Sequence, residues 1–473
     1  MSELHALPIG TERVRAGDEI VVRAPFDGRE LGRVPQADAT TVDAAVKAAR
    51  ATLSDPLPAW QRAEILDLAA ALLADRTEEF AQSIAAEAAK PIKTARVEAA
   101  RAVGTFTAAS VAARSLTGDV IPMDANPAGA GKLAFTLRVP VGVVGAISPF
   151  NFPLNLVAHK LAPAIAADCP VVLKPASQTP LTALKLAMLL LDEAGLPAGR
   201  LNVVTGGGGT VGNAIVEHDD VAMITFTGSP EVGWGIKARA PRKKVGLELG
   251  NNAPVIVEPD ADLELAVTKV VAGGFGYSGQ TCISSQRIYV HEDVATAFLD
   301  LLVPRVEALV VGDPLDDSTD VSALISEHER DRVASWVTEA VGEGARAVTG
   351  GEIRDGVFQP TVLTGVAPDM KVCALEIFGP VVGVQPYATF DEALRLSNET
   401  RYGLQAAVFT RDLATALRAA HGLDFGGVIV NETSTFRSDQ MPYGGIRDSG
   451  NTKEGPAYAV REMTEERLVV IQM

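Results

Sequence analysis

The chain is short of cysteine, of histidine in useful spacings and of positive charge, and each shortage removes a class of function. Its 473 residues include only three cysteines, Cys169, Cys282 and Cys373, an odd and widely separated set. Such a set builds neither a disulfide framework nor a zinc cluster, and it suits a reducing compartment. The six histidines, His5, His159, His218, His291, His328 and His421, show no HExxH or paired ligand spacing, so no metal site is expected. Lys plus Arg number 42 against 59 Asp plus Glu, a net charge of −17. That surplus repels phosphate backbones and anionic lipid, so neither nucleic acid nor a membrane surface is an expected partner. The apolar stretch after Val141 is broken by Asn151, Pro153, His159 and Lys160, so it does not read as a membrane span. Met1-Ser2-Glu3-Leu4-His5 lacks the basic and then apolar run of a signal peptide, and a cytoplasmic protein is expected. Internal repeats and low-complexity segments are also lacking.

What is present is an ordinary soluble composition, 47% hydrophobic and 21% charged, in a chain long enough for about three domains. From Ala39 to Ala113 it is rich in Ala, Leu, Glu, Lys and Arg, with apolar residues at helical intervals, as in Ile65-Leu66, Leu68 and Leu72-Leu73. Consecutive amphipathic helices are predicted there. Gly, Pro, Asp and Asn between Thr117 and Lys132 end that run, and the alternating stretch Leu133 to Val139 reads as a strand. Short β-rich and helix-like runs then alternate: Val141 to Ile147, Leu156 to Ala167, Pro170 to Leu173, Leu184 to Leu191, Leu201 to Val204, Ala214 to Val216, Met223 to Phe226 and Val245 to Leu249. This alternation predicts an α/β fold with a largely parallel sheet covered on both faces. A second alternating region begins after Asn251, with Val255 to Val257, a helix over Leu263 to Ala272, Ile288 to Val290 and a helix over Val294 to Leu309. The tail, Glu465 to Met473, carries Leu468-Val469-Val470-Ile471 and reads as an edge strand that needs a partner.

Two residues stand out chemically. Cys282, in Gly279-Gln280-Thr281-Cys282, is predicted in a loop or helix start where backbone amides would lower its thiol pKa. Glu248 closes the apolar run Val245-Gly246-Leu247, where desolvation would raise its carboxyl toward a value useful in a general base. The plain alternatives are a small buried thiol and a strand-end acid facing solvent, and Cys169 and Cys373 keep the first of these readings. Asn151, between Phe150 and Phe152-Pro153, has an amide able to donate to an oxygen that becomes negative, or simply to form a turn before proline. Lys174 ends the run Val171-Val172-Leu173, at a strand edge where a cation reaches nucleotide hydroxyls or phosphate. Gly206 to Gly209 and Gly228-Ser229-Pro230-Glu231-Val232-Gly233 would let backbone approach a nucleotide.

Pro149-Phe150-Asn151-Phe152-Pro153, Leu173-Lys174-Pro175, Phe226-Thr227-Gly228-Ser229, Glu248-Leu249-Gly250, Gly279-Gln280-Thr281-Cys282 and Glu376-Ile377-Phe378-Gly379-Pro380 resemble the aldehyde dehydrogenase superfamily, in that family's order. The resemblance implies a Rossmann-type cofactor domain (residues 1–116 and 139–249), an α/β catalytic domain (250–441) and a small oligomerisation β element (117–138 and 460–473). It implies a homodimer or homotetramer. It also implies NAD(P)-dependent oxidation of a small-molecule aldehyde to a carboxylic acid. Cys282 is then the nucleophile, Glu248 the base that activates water, and Asn151 with the Cys282 amide the oxyanion hole. Relatives that pass the acyl group to coenzyme A often lack the base, so Glu248 favours water.

The same resemblance implies NAD or NADP bound by Lys174, Ser177, Gly208, Phe226, Gly228, Ser229, Gly233, Glu376 and Phe378. Ser177 stands where NAD-preferring relatives often carry Glu, which leaves both cofactors open. Asn251 replaces a common glycine, and Leu375 replaces an acid often found beside Glu376. Asn431 to Arg437 and Met441-Pro442-Tyr443-Gly444-Gly445 look like the lactaldehyde and phosphonoacetaldehyde dehydrogenase branch. On that likeness His159 and Arg437 contact a hydroxyl or anionic end of the substrate; otherwise they are a helix-surface histidine and a loop arginine. Thr281, where a phosphonoacetaldehyde enzyme would carry a base, favours a short hydroxyaldehyde such as lactaldehyde. Succinate semialdehyde is the enzymatic alternative, and a noncatalytic oligomeric scaffold is the alternative of another class.

Overall fold

The computed structural model describes residues 3–473. Four helices occupy the segment where the sequence shows helical periodicity: Ala39–Ala51, Ala59–Asp75, Thr77–Ala88 and Ile92–Ser115. The first is set by a capping box, Asp38 accepting from the Thr41 amide, and buries Val42, Ala45, Val46 and Ala49 on one face. The last buries Ala95, Ala99, Ala102 and Ala109, small residues that admit close packing against Ala59–Asp75. Before these helices lie four short strands, Leu7–Ile9, Glu12–Val14, Glu19–Arg23 and Glu30–Pro35.

Five parallel strands form the first central sheet, in the order Lys244–Glu248, Val221–Thr227, Val143–Ile147, Val171–Lys174, Leu201–Val203. Chain order runs outward from Val143–Ile147 in one direction and then returns to its other side. The crevice at the carboxyl ends of Val143–Ile147 and Val221–Thr227 is therefore a topological switch point, where open α/β sheets bind ligands. Ala214 to Val216, within the alternating pattern, lies in a short helix, Asn213–Glu217. The predicted helix at Leu184 begins earlier, at Pro180, and widens into a π turn over Leu189–Glu193.

The second sheet has seven strands, ordered Arg346–Thr349, Thr361–Thr364, Val381–Tyr387, Ser285–His291, Ala253–Val257, Gln405–Phe409, Gly427–Val430, with only the first pair antiparallel. Strand Thr464–Gln472 pairs antiparallel with Lys132–Pro140 along its whole length, and Val120–Ile121 pairs on the other side. It is an edge strand, as its sequence predicts, with Leu468, Val470 and Ile471 exposed. Among the described residues no helix is long and apolar enough to cross a membrane.

One buried ion pair joins the helical segment to both sheets. Lys90, fully enclosed, places its ammonium 2.5 Å from Glu98 Oε2, 3.5 Å from the centre of the Phe152 ring and 4.4 Å from that of Tyr277. Glu98 Oε1 accepts from the amides of Leu154 and Asn155 at 2.9 and 3.1 Å. Burial lowers the Lys90 ammonium to about 8. Removing its partner leaves an uncompensated buried charge and two unpaired amides. Glu98→Ala is expected to destabilise the fold by about 3–5 kcal/mol, read as a lower urea midpoint.

Candidate active site

Each candidate catalytic side chain is placed by the end of a strand. Asn151 lies in the loop that leaves Val143–Ile147, and Glu248 is the last residue of Lys244–Glu248. Cys282 lies in the turn that enters Ser285–His291 of the second sheet, and is not at a helix start. All three line one cleft of about 760 Å³ between the two sheets' adjoining ends.

The approach to Cys282 is held in a rare backbone conformation. Tyr277, Ser278 and Gly279 have φ of 49°, 54° and 70°, all left-handed. Buried bonds fix the two non-glycine residues: the Tyr277 hydroxyl donates to the Ala88 carbonyl at 3.0 Å, and the Ser278 hydroxyl donates to the Ser322 carbonyl at 2.8 Å. At Gly279 any Cβ would run into the Gly379 carbonyl. The Cys282 sulfur lies 2.9 Å from the Tyr443 hydroxyl. The sequence predicts a lowered thiol; instead burial pushes it up to about 12, with the Tyr443 hydrogen bond opposing that rise.

The Glu248 carboxylate is buried, and among the described residues neither of its oxygens has a hydrogen-bond partner. Burial, then the nearby Glu454 charge, hold its carboxyl well above the ordinary range, in the direction the strand-end position predicts. Asn151 donates from Nδ2 to the Gln280 carbonyl at 2.9 Å, which ties the loop of one sheet to that of the other, and its Oδ1 has no partner among the described residues.

Sequence reasoning missed three neighbours. Lys160 donates to the Thr227 hydroxyl at 2.7 Å and stands 3.8 Å from Glu454. Its ammonium is lowered by burial, while Glu454, which burial alone would raise, is held ionised by Arg437 and Lys160. The signal was available for the lysine: every residue of helix Asn155–Ala166 is buried, and a charge on an otherwise apolar helix needs a partner. Tyr443 is the third, touching the sulfur itself.

His159 and Arg437 are brought together but do not line the thiol cleft. His159 is buried, which rules out a helix-surface position, and its Nε2 lies 2.9 Å from Asp439 Oδ1 and 3.0 Å from Arg437. Arg437 is no open loop residue either: it donates to Glu454 at 2.9 Å and packs 4.0 Å over the Tyr443 ring. With Asp439 and Glu454 they form a buried, hydrogen-bonded layer beneath Tyr443, in which burial keeps the His159 ring toward its neutral form.

Six of the residues proposed for a nucleotide line two adjoining hollows, Gly228, Ser229, Glu376 and Phe378 the thiol cleft and Gly208 and Phe226 its neighbour, while Lys174, Ser177 and Gly233 line neither. Glu231 and Val232 line both the thiol cleft and a neighbouring groove of about 500 Å³ that contains Gly208 and Phe226. Phe226 is a buried floor: a Cβ on Gly228 would lie 2.5 Å from its ring, and one on Gly233 would press on Leu249 and on the same ring. Ser229 caps helix Pro230–Arg239, accepting from the Val232 amide at 3.5 Å. Lys174 is buried and, among the described residues, has no carboxylate partner and hydrogen-bonds only to the Pro175 carbonyl, at 3.3 Å; burial lowers it to about 8. Ser177 donates to the Gly206 carbonyl at 2.9 Å. At the cleft end, Glu376 accepts from the Asn251 amide at 3.1 Å and is raised to about 8 by burial, and Phe378, at φ 48°, meets Phe150 edge-on with centroids 5.9 Å apart. Asn251 does not need a glycine's freedom, since its φ is not positive, and Leu375 simply lines the cleft. An unpaired buried cation, glycines that keep a groove open and an aromatic wall fit a dinucleotide. Among the described residues no cluster able to hold a metal ion occurs.

This fold, with a thiol and a desolvated carboxylate facing a nucleotide-sized hollow, agrees with what comparison shows. The family model described as "Aldehyde dehydrogenase family" matches residues 13–469, and the chain belongs to that family. It is an NAD(P)-dependent aldehyde dehydrogenase, and solved members hold NAD+ or NADP. The chain is 47% identical over 470 residues to a 3-sulfolactaldehyde dehydrogenase of Priestia megaterium, covering 99% of this chain and 98% of that protein. A lactaldehyde dehydrogenase of Methanocaldococcus jannaschii is 43% identical over 418 residues, covering 88% and 89%. Aldehyde dehydrogenase 21 of Physcomitrella patens, solved with the reaction product succinate, superposes with a TM-score of 0.96 at 38% identity, covering 100% and 99%. A glyceraldehyde-3-phosphate dehydrogenase of M. jannaschii, solved with NADP, gives 0.93 at 40%, covering 97% and 100%.

The left-handed turn before Cys282 makes a stability test. Gly279→Ala is expected to cost at least about 2 kcal/mol from backbone strain and collision with Gly379, and to slow alkylation of Cys282 severalfold. Thermal unfolding and iodoacetamide labelling measure the two effects.

Proposed function

We propose that the enzyme oxidises a short 2-hydroxyaldehyde of the lactaldehyde type to its acid, with Cys282 as nucleophile, Glu248 as base and Asn151 in the oxyanion hole. The observation that carries the chemistry is the shared cleft, in which a sulfur, an unpaired carboxylate and a side-chain amide face one space. Cys282, its thiol proton released to solvent through the open cleft, attacks the aldehyde carbon as the thiolate, and the Asn151 amide with the Cys282 N–H receives the oxygen as it becomes negative. Bound NAD(P) supplies the acceptor for the hydride that leaves that carbon. Glu248 then takes a proton from the water that cleaves the thioester, and its raised carboxyl suits both uptake and release of that proton. Lys160 and Glu454 adjoin Glu248 and set the charge around it.

Two relatives support the substrate: 3-sulfolactaldehyde and lactaldehyde, named for the proteins at 47% and 43% identity, share a hydroxyl beside the aldehyde. Succinate semialdehyde is the second reading, favoured by the succinate bound to aldehyde dehydrogenase 21. Gly208, Gly228, Ser229, Glu376 and Phe378 line the space for NAD(P) with Phe226 beneath and Gly233 packed on that ring, and Lys174 and Ser177, next to its lining residues Gly212, Ala176 and Gln178, are the further cofactor-binding residues of this reading. The exposed apolar edge strand Thr464–Gln472 supports assembly as a homodimer or homotetramer, and three unpaired cysteines support a cytoplasmic setting.

Formation of reduced cofactor from lactaldehyde, 3-sulfolactaldehyde, phosphonoacetaldehyde and succinate semialdehyde, each with NAD and NADP, tests this reading. Cys282→Ala is expected to abolish it, and Glu248→Gln to lower steady-state turnover about 10²–10⁴-fold. A semialdehyde turning over faster than both lactaldehydes would replace the substrate reading, and silence across the panel would overturn both substrate readings. Lys174 gives a pH test. The free protein carries the cation below about 8 and loses it above. Cofactor affinity is therefore expected to fall as pH rises through that value, and Lys174→Met to bind weakly without that dependence, both measured by fluorescence titration.

A further inference from the structure

Tyr443 has no role in the chemistry described above, yet its hydroxyl is 2.9 Å from the reacting sulfur. The ring is fixed from several sides. Its residue is buried, and its backbone exchanges hydrogen bonds with Glu454, the Tyr443 amide donating at 3.1 Å and the Glu454 amide at 2.6 Å. Ile283, Leu404 and Met441 pack with it around Cys282. On one face lies the Arg437 guanidinium, 4.0 Å from the ring centre, and Arg437 is itself held by His159 and Glu454.

The surroundings otherwise oppose a thiolate. Burial is the largest influence raising the thiol, and the nearby Glu376 and Glu248 carboxylates raise it further. Arg437 and the Tyr443 hydrogen bond act the other way, and only Tyr443 does so by touching sulfur. A hydroxyl donating to an anion forms a stronger bond than one donating to a neutral group, so the contact gains most when sulfur is charged. A cation against the ring face draws electron density from the phenol and makes it a better donor.

We propose that Tyr443 is a catalytic residue that donates its hydroxyl hydrogen to Cys282 Sγ, stabilising the thiolate and aiming it into the cleft, with Arg437 acting through the ring as a positioning residue. This rests on Cys282 being the nucleophile. The sulfur bears the negative charge while the phenol keeps its proton; burial and the neighbouring sulfur hold that phenol well above its ordinary value, so it acts as a donor.

The test is the pH dependence of Cys282 alkylation by iodoacetamide in the intact protein, followed by peptide mass spectrometry to separate Cys282 from Cys169 and Cys373. Tyr443→Phe removes one oxygen and keeps the ring under Arg437. The alkylation midpoint is expected to rise by about one pH unit, with about tenfold slower labelling at neutral pH. The kcat should fall with it, while cofactor affinity stays unchanged. Should that variant fold poorly, 3-fluorotyrosine placed at 443, a more acidic phenol of nearly the same shape, is expected to move the midpoint downward. A midpoint unmoved in a folded variant overturns the proposal. The assay needs no turnover, so its outcome is separate from the nucleophile reading, which fails instead if Cys282→Ala keeps its activity.

Discussion

The Lys90 ammonium is the joint on which the site depends. It sits between the ring of Phe152, which follows Asn151, and that of Tyr277, five residues before Cys282. Its counter-ion Glu98 holds the amides of Leu154 and Asn155. One charge pair therefore fixes the loop from the five-stranded sheet and the loop from the seven-stranded sheet relative to each other. The direct bond from Asn151 to the Gln280 carbonyl is the second tie. A buried charge is costly and holds its place only in a fully formed setting, which makes it a device for specifying geometry more than for adding stability.

The site's electrostatics follow from its dryness. Burial raises Cys282, Glu248 and Glu376 and lowers Lys174 and Lys160, all toward their uncharged forms. Charge is concentrated instead in Arg437, Asp439 and Glu454, which with the His159 ring form a hydrogen-bonded layer beneath Tyr443. Asp439, which burial would raise, is held below the carboxylate range by His159 and Arg101. The cleft thus has groups near their switching points, standing on a layer whose charges are settled.

Much of this was legible in the chain, for reasons that differ by residue. The helices over 39–115 show in the spacing of alanine and leucine, and the parallel strands in apolar runs bounded by glycine and proline. The position of Glu248 at a strand end carried the correct sense of its shift, because burial can be read from Val245-Gly246-Leu247. The shift at Cys282 was not legible: amides near a turn are a local feature, while the walls that desolvate the sulfur come from residues 150, 376 and 443, far apart in sequence. The pairing of His159 with Arg437 across 278 positions was hidden for the same reason. The short strands before residue 36 lack a long alternating pattern, and the turn at Leu189–Glu193 depends on how that helix end packs.

Strand Lys244–Glu248 has a sheet neighbour on one side only; its other side is closed by the late segment 449–451. Asn451 exchanges hydrogen bonds with Leu247 and reaches the Val245 carbonyl, and Ser449 accepts from Leu249. During synthesis on the ribosome, the strand that carries Glu248 must wait some two hundred residues for this cover. Until then it presents an open edge to other nascent chains, so both solubility and a complete site depend on the synthesis of residues 449–451.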